Sequence, residues 1–211
     1  MTLDEALAAM PIVAILRGLE PTEAVAIGEA VVAAGISILE VPLNSPDPFT
    51  SIAMLASALK GRALVGAGTV LTVEAADRVA EAGGALVVSP NTDPAVIRRT
   101  KANGMLSLPG FLTPSEAFAA LQAGADALKL FPAEMASPAV IRALRAVLPR
   151  QTRLLVVGGV SAQTIPPYLA AGVAGFGIGS DLYKPGRDAD DVGLRAAALV
   201  AAVRQAKEAS L

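Results

Sequence analysis

The sequence predicts an α/β protein with a (β/α)8 TIM-barrel fold, and three observations lead to this prediction. Short branched-aliphatic runs alternate with alanine-rich helical segments along the 211 residues. The runs are apolar almost throughout, as in parallel strands that are covered on both faces. Eight strand–helix units in this length fit a closed barrel better than a doubly wound open sheet. We therefore predict a single barrel domain over residues 1–211.

The predicted elements follow one another with clear boundaries. Strands are expected to begin at Ile12, Ile38, Leu64, Leu86, Leu106, Ala127, Leu154 and Gly175. Helices are expected at 21–34, 47–60, 72–82, 93–103, 113–123, 137–148, 161–171 and about 189–209. Capping residues, early prolines and acids mark their starts. Glycines mark five of their ends, at Gly35, Gly83, Gly104, Gly124 and Gly172. A short helix at 3–10 is expected to cover the barrel's bottom.

Composition excludes several classes of function. Hydrophobic residues make up 54% of the chain and charged residues 17%, with a net charge of −2 and no basic run, so nucleic acid is not an expected partner. Cysteine and histidine are absent, which leaves acid–base chemistry to Glu, Asp, Lys, Tyr or water. No apolar stretch is suited to spanning a membrane, and the N-terminus lacks the basic region of a signal peptide. We expect a cytoplasmic location.

Lys129 stands inside the apolar run ALKLF, which reads as a buried parallel strand. A lysine there must reach the strand's end or lose its charge to desolvation. A neutral lysine is a nucleophile that can form a Schiff base with a ketone. The alternative is a lysine that buries only its stem and extends its ammonium into solvent.

Glu40 is a second ionisable residue inside an apolar strand, ILEVPL. An ionised carboxylate in that position is costly unless it is paired. It is therefore either a general acid or base with a raised pKa, or one partner of a structural salt bridge with Lys129 or Arg17.

Polar residues and glycines gather at the predicted carboxyl ends of the strands, where barrels have their active sites. The turns GGVS and GIGSDL follow strands seven and eight, where backbone N–H groups commonly bind phosphate, although glycines also serve tight turns. No Walker-type loop is present. Arg17 suits a carboxylate or phosphate, or is a solvated loop residue. Thr69 is a substrate contact or a helix N-cap, a role for which Thr72 competes.

These residues, in this order, resemble the class I 2-keto-3-deoxy-6-phosphogluconate (KDPG/KHG) aldolase family. The similarity runs from IVAILRG to GIGSDLY, and its most specific pieces are LEVPL, GAGTVL, SPN, LKLFPAE and VGGV. Within the family, EVPLNSP and GSDLYKPG are similar to the members that cleave the 6-phosphogalactonate derivative. The phosphogluconate aldolases of the family usually have an arginine four positions after the glutamate, where this chain has Asn44. We therefore expect Arg17 to bind the substrate carboxylate or a nearby oxygen.

The resemblance implies a homotrimeric barrel without a cofactor or metal, which cleaves a phosphorylated 2-keto-3-deoxy sugar acid into pyruvate and D-glyceraldehyde 3-phosphate. It implies Lys129 as the Schiff-base lysine and Glu40 as the general acid and base. Substrate contacts are expected from Arg17, Thr69, Phe131 and Pro90. Phosphate contacts are expected from Gly158, Gly159, Val160, Gly179 and Ser180.

Other functions stay open at this point. The same class of enzyme could act on the gluconate epimer or on 4-hydroxy-2-oxoglutarate. Phosphosugar isomerases and tryptophan-pathway barrels also bind phosphate after strands seven and eight, without a Schiff base. A phosphate-ligand-binding barrel or assembly scaffold without lyase activity is a third alternative.

Overall fold

The computed structural model describes residues 1–209 and forms a parallel β-barrel surrounded by helices. Residues 210 and 211, which the predicted domain includes, lie outside the described residues. The strands are β1 Ile12–Ile15, β2 Ile38–Pro42, β3 Leu64–Gly68, β4 Leu86–Val88, β5 Leu106–Leu108, β6 Gly110–Phe111, β7 Leu128–Leu130, β8 Leu154–Val157 and β9 Gly175–Ile178. The helices are α1 Leu3–Ala9, α2 Pro21–Ala33, α3 Pro48–Ala58, α4 Val73–Glu81, α5 Pro94–Ala102, α6 Pro114–Gln122, α7 Pro138–Val147, α8 Ile165–Ala170 and α9 Ala189–Glu208, with a 3-10 helix at Ala133–Met135.

The strand order shows how the barrel closes. Neighbouring strands are parallel in the order β5-β4-β3-β2-β1-β9-β8-β7-β6. Only Pro109 separates β5, which pairs with β4, from β6, which pairs with β7. Proline has no N–H for the ladder, so the predicted fifth strand is two short strands that together fill one position. The predicted (β/α)8 barrel is confirmed, with this split and a start of β7 at Leu128 rather than Ala127 as the changes to its strands.

One predicted helix is shorter than expected. The segment predicted as a helix over 161–171 is helical only at Ile165–Ala170. The preceding residues form a turn in which the Ser161 N–H donates to Oγ1 of Thr164 at 2.9 Å. Pro166 and Pro167 follow in the first helical turn, where the missing N–H groups cost nothing. The five predicted helix-ending glycines all have positive φ, between 76° and 105°.

Alternate residues of the strands fill the barrel. Side chains of α1 pack under this interior, where Leu3 and Leu7 join the buried cluster that contains Val13, Ile38 and Leu155. Thr2 caps this helix in a capping box with Glu5. The predicted cover at the amino-terminal face is therefore present, and the opposite face is left open for a site.

The outward residues of the strands form the larger core with the helices. Among them, Leu128 and Leu130 of β7 are fully buried against the helical layer. Because side chains alternate along a strand, residue 129 between them points into the barrel. Leu39 and Val41 direct Glu40 inward from β2 in the same way. Counting β5 and β6 as one position, β2 and β7 lie four positions apart in a ring of eight, directly opposite each other.

Candidate active site

Lys129 lies in the barrel interior with 7% of its surface exposed. Its backbone N–H donates to the carbonyl of Pro109 at 2.9 Å, and its Nζ lies 4.6 Å from the centre of the Phe131 ring. Burial lowers the pKa of Lys129; the charge of Glu40 opposes this shift, and the charge of Arg17 adds to it. Since burial prevails, the neutral amine is favoured relative to a lysine in water.

Glu40 lies opposite, with 2% of its surface exposed. Its Oε2 is buried and has no hydrogen-bond partner among the described residues. Burial raises the pKa of Glu40 to about 7, against the opposing charges of Lys129 and Arg17. A carboxyl group with this pKa can both donate and accept a proton near neutral pH.

The two side chains are close but do not form an ion pair. Both line an interior cavity of about 10 Å³, together with Val13, Leu108 and Leu155 and others. That volume is close to the space one water needs. Within residues 1–209, no nitrogen of Lys129 or Arg17 lies within 4.0 Å of a Glu40 oxygen. The structural salt bridge that the sequence left open is therefore not formed.

An open cleft of about 440 Å³ continues from this cavity towards solvent. Ile15, Val157 and Gly177 line both, so the cleft leads to the Lys129 and Glu40 side chains. Seven of the predicted site residues line it, namely Arg17, Phe131, Gly158, Gly159, Val160, Gly179 and Ser180. Residues that follow the first strand and residues that follow the last two strands therefore meet at the same opening of the barrel.

The two glycine turns at this mouth present free backbone donors. Gly158 and Gly159 have φ values of 111° and 60°, a left-handed conformation that glycine adopts without steric cost. Within the described residues, the N–H groups of Gly159, Val160, Ser180 and Asp181 donate no hydrogen bond. Clustered free N–H groups in such turns form an anion-binding concavity.

Arg17 is held in position by Asn44. Its Nη1 donates to Oδ1 of Asn44 at 2.6 Å, and the adjacent Gly18 N–H donates to Oγ of Ser45 at 2.9 Å. The loops after β1 and β2 are therefore joined beside the cleft, and the guanidinium keeps its remaining donors for a ligand.

Comparison with known proteins gives the family. The model of the aldolase family described as "KDPG and KHG aldolase" matches residues 3–193. The chain belongs to this family. It is 50% identical over 192 residues, 91% of each chain, to a probable 2-dehydro-3-deoxy-6-phosphogalactonate aldolase of Rhizobium meliloti strain 1021. It is 46% identical over 197 residues to a 2-dehydro-3-deoxy-6-phosphogalactonate aldolase of Escherichia coli K12, covering 93% of this chain and 96% of that one.

A solved structure gives the same fold. It is described as a cube-shaped, highly porous protein cage designed by fusing symmetric oligomeric domains. The superposition has a TM-score of 0.93 at 46% identity and covers 95% of this chain and 74% of that chain. The family assignment makes this chain an aldolase, that is, a carbon–carbon lyase, and removes the scaffold and isomerase alternatives.

Two predicted substrate contacts of this aldolase lie outside the cleft lining. Thr69 and Pro90 follow the carboxyl ends of β3 and β4, on the same rim, and both are partly buried. Thr69 does not cap a helix, because Thr72 is the N-cap of α4 and its Oγ1 accepts from the Ala75 N–H at 3.1 Å. The interpretation of Thr69 as an N-cap is thus wrong, and its role as a substrate contact stays a prediction.

Sequence reasoning did not assign a role in the site to several polar residues of the aldolase cleft. Glu134, Asp181, Tyr183 and Lys184 also line it. The Glu134 carboxylate lies against the first glycine turn, so that a Cβ at Gly158 would be 2.3 Å from Oε2. Their positions next to LFP and GS were the available signal, but loop positions alone do not say which side chains turn towards the cleft.

Within residues 1–209, no helix is both long and apolar enough to cross a membrane. Nor do these residues contain a group of three or more acidic side chains placed to hold a metal ion.

Proposed function

We propose that this aldolase cleaves 2-dehydro-3-deoxy-6-phosphogalactonate to pyruvate and D-glyceraldehyde 3-phosphate through a Schiff base on Lys129. The observation that carries the proposal is the pairing of a buried lysine of lowered pKa with a buried carboxyl group of raised pKa at the base of a phosphate-suited cleft. The names of the two relatives support the choice of substrate.

In the first step, the neutral Lys129 amine attacks the C2 ketone of the substrate. The carbinolamine loses its hydroxyl group as water, with a proton supplied by Glu40, and a protonated imine forms. Both pKa shifts favour this starting state, in which Lys129 is neutral and Glu40 carries the proton.

In the second step, the Glu40 carboxylate takes the proton of the C4 hydroxyl, directly or through one water. The C3–C4 bond breaks, its electron pair moves into the imine to give an enamine, and D-glyceraldehyde 3-phosphate leaves. Glu40 then returns the proton to C3, and hydrolysis of the imine releases pyruvate and restores Lys129.

Arg17, positioned by Asn44, is proposed to bind the substrate carboxylate. Thr69, Pro90 and Phe131 are proposed to contact the carbon chain near the imine. The free N–H groups of the turns at residues 158–160 and 179–180 are proposed to bind the 6-phosphate.

A pyruvate-release assay tests the substrate. We expect a higher kcat/KM for the galactonate derivative than for its C4 epimer, the gluconate derivative, and for 4-hydroxy-2-oxoglutarate. Preference for the epimer or for 4-hydroxy-2-oxoglutarate would replace the proposed substrate by another substrate of the same family. Release of pyruvate from none of them would reject the proposed reaction.

We also propose that the aldolase is a homotrimer. Exposed apolar side chains lie in the segments after β3, β6 and β7, namely Leu71, Leu112 and Met135, with 51%, 37% and 68% of their surfaces exposed. An apolar rim of this kind suits contact with further copies. The related cage, built from symmetric oligomeric domains, supports such assembly.

Sedimentation analysis tests the assembly. We expect a mass of three chains, and a smaller mass for Met135→Glu. Leu194→Glu, at a position 74% exposed on α9, is the control and should leave the trimer intact. A monomeric wild-type protein would contradict the proposal. The cytoplasmic location stays a prediction.

A further inference from the structure

Lys184 is a cation in the cleft that the proposed mechanism does not use. It lies in the loop after β9, lines the cleft with Ser180, and is exposed. Its ammonium makes no ion pair or hydrogen bond with any residue of the described chain. The other cation that lines the cleft, Arg17, is proposed to bind the substrate carboxylate. Lys184 is therefore the cation of the cleft lining that remains for a phosphate beside the glycine turns.

The backbone around Lys184 is held on both sides. The preceding Tyr183 is buried, and its hydroxyl donates to Oε1 of Glu23. The following Pro185 packs so closely on Gly18 that a Cβ there would be 2.6 Å from its Cγ. The Arg187 N–H donates to the Lys184 carbonyl at 3.1 Å. The flexible side chain thus starts from a fixed point at the mouth of the cleft.

The same loop is braced to the second glycine turn. Arg187 Nη1 donates to the Ser180 carbonyl at 2.9 Å, and Arg187 Nε lies 3.5 Å from Oδ2 of Asp191 in α9. The Ser180 carbonyl is thereby occupied, while the Ser180 N–H has no partner among the described residues. At this turn, backbone N–H donors are therefore available to a ligand, while the Ser180 carbonyl already accepts a hydrogen bond.

The charge balance of the cleft shows why a further cation is needed. A phosphate monoester carries about −1.5 to −2 charges at pH 7, whereas backbone N–H groups offer dipoles without net charge. The ionisable side chains of this cleft include two carboxylates, Glu134 and Asp181, which oppose Arg17 and Lys184. Without Lys184 the cleft would carry a net negative charge and repel the phosphate.

We propose that Lys184 binds the 6-phosphate group and thereby selects phosphorylated over non-phosphorylated substrates. The inference deepens the proposed function and rests on it. A lysine suits this task, because a compact charge on a flexible stem follows a phosphate that the glycine turns already hold. Lys184 acts in binding and takes no part in proton transfer at Lys129 or Glu40.

The test compares two aldehydes in the addition direction, with pyruvate as the second substrate. In Lys184→Met, kcat/KM for D-glyceraldehyde 3-phosphate should fall about 10- to 100-fold, the range for a lost hydrogen bond between charged groups. The loss should appear mainly in KM, while kcat/KM for D-glyceraldehyde stays unchanged. Lys184→Arg should restore most of the preference.

The control is Lys60→Met, which removes the same charge from an exposed position before β3, on the opposite face of the barrel. It should leave both aldehydes unaffected. An unchanged ratio of the two aldehydes in Lys184→Met would overturn the inference. An equal loss for both would overturn it too, because it would indicate a structural effect.

A second readout needs no turnover. Calorimetric titration with inorganic phosphate should give a Kd about 10- to 100-fold weaker in Lys184→Met than in the wild type or in Lys60→Met. Equal affinity in all three proteins, including binding to none, would overturn the inference. Phosphate binding that depends on Lys184 in a protein that releases no pyruvate would reject the proposed reaction and leave the phosphate site standing.

Discussion

The carboxylate of Glu40 in β2 lies directly over Gly68 in the neighbouring strand β3. Both residues face the barrel interior. A Cβ at residue 68 would be 1.9 Å from Oε2 and 2.3 Å from Cδ of Glu40. The side chain of Glu40 can therefore stay inside the barrel only because β3 has no side chain at this position. Since Oε2 has no partner among the described residues, this space holds a buried carboxyl group whose hydrogen-bonding capacity is left unsatisfied.

Gly68→Ala should disrupt the site through this contact. We expect the free energy of unfolding to fall by about 1–3 kcal/mol, the range for overpacking a core, and aldolase activity to fall with it. Gly193→Ala in α9 is the control, because its Cβ would meet Ala30 at an ordinary 3.7 Å. The control should be neutral or stabilising by about 0.5–1 kcal/mol. Equal chemical-denaturation midpoints for Gly68→Ala and the wild type would contradict the contact.

Lys129 should be the site of covalent trapping. Incubation with pyruvate and borohydride should reduce the imine to a stable adduct, and peptide mass spectrometry should find it on Lys129. Lys129→Arg should form no adduct and lose at least about 1000-fold in kcat, since a guanidinium forms no imine. An adduct on another lysine, or no adduct on the wild type, would reject the assignment of the nucleophile.

Glu40→Gln should slow turnover without preventing imine formation. Loss of a general acid and base typically costs about 100- to 10,000-fold in rate, and we expect kcat to fall within that range. Borohydride trapping with pyruvate should still label Lys129, because the amine itself is retained. Turnover at the wild-type rate would show that Glu40 takes no part in proton transfer.

The raised pKa of Glu40 should appear in the pH dependence of stability. Its pKa is about 7 in the folded protein, against an ordinary value of 4.5, so the folded state binds this proton more tightly. The resulting stabilisation is present below pH 4.5 and is lost as the pH rises to about 7, in total about 3 kcal/mol. Glu40→Gln cannot titrate, so its stability relative to the wild type should increase across this range. Parallel curves of unfolding free energy for the two proteins would contradict the shift.

Asn44→Ala should weaken binding of the substrate carboxylate. Without Oδ1 of Asn44, the Arg17 guanidinium loses its 2.6 Å hydrogen bond and its fixed direction. We expect KM for pyruvate in the addition reaction to rise about 3- to 10-fold, with kcat less affected. Asn44→Asp keeps an acceptor at the same place and should stay close to the wild type. A rise in KM for Asn44→Asp as large as that for Asn44→Ala would argue that the acceptor at residue 44 does not position Arg17.

Much of the fold could be predicted from the sequence, because hydrophobic runs and capping residues are local signals. The run LSLPG was the exception, since a proline at residue 109 both ends β5 and lets β6 begin in register with β7. The start of the helix over 161–171 was also wrong, because a side-chain turn at Ser161 replaces its first turn.

The sequence indicated individual residues of the candidate site but not the contacts between its loops. Anomalous charged residues in apolar strands indicated Lys129 and Glu40, and glycine clusters after two consecutive strands indicated the two turns. The Arg17–Asn44 contact and the direction of Lys184 depend on how separate loops pack against each other. No pattern within either loop contains that information.

By itself, the sequence determined that Lys129 and Glu40 are ionisable residues inside apolar strands, because a charged side chain stands out in a run of aliphatic residues. Only the tertiary structure decided that their strands lie opposite each other and that burial outweighs mutual attraction in setting both pKa values. Desolvation and Coulomb energies depend on the distances between the charged groups and on the surrounding dielectric. Both are set only when the sheet has closed into a barrel.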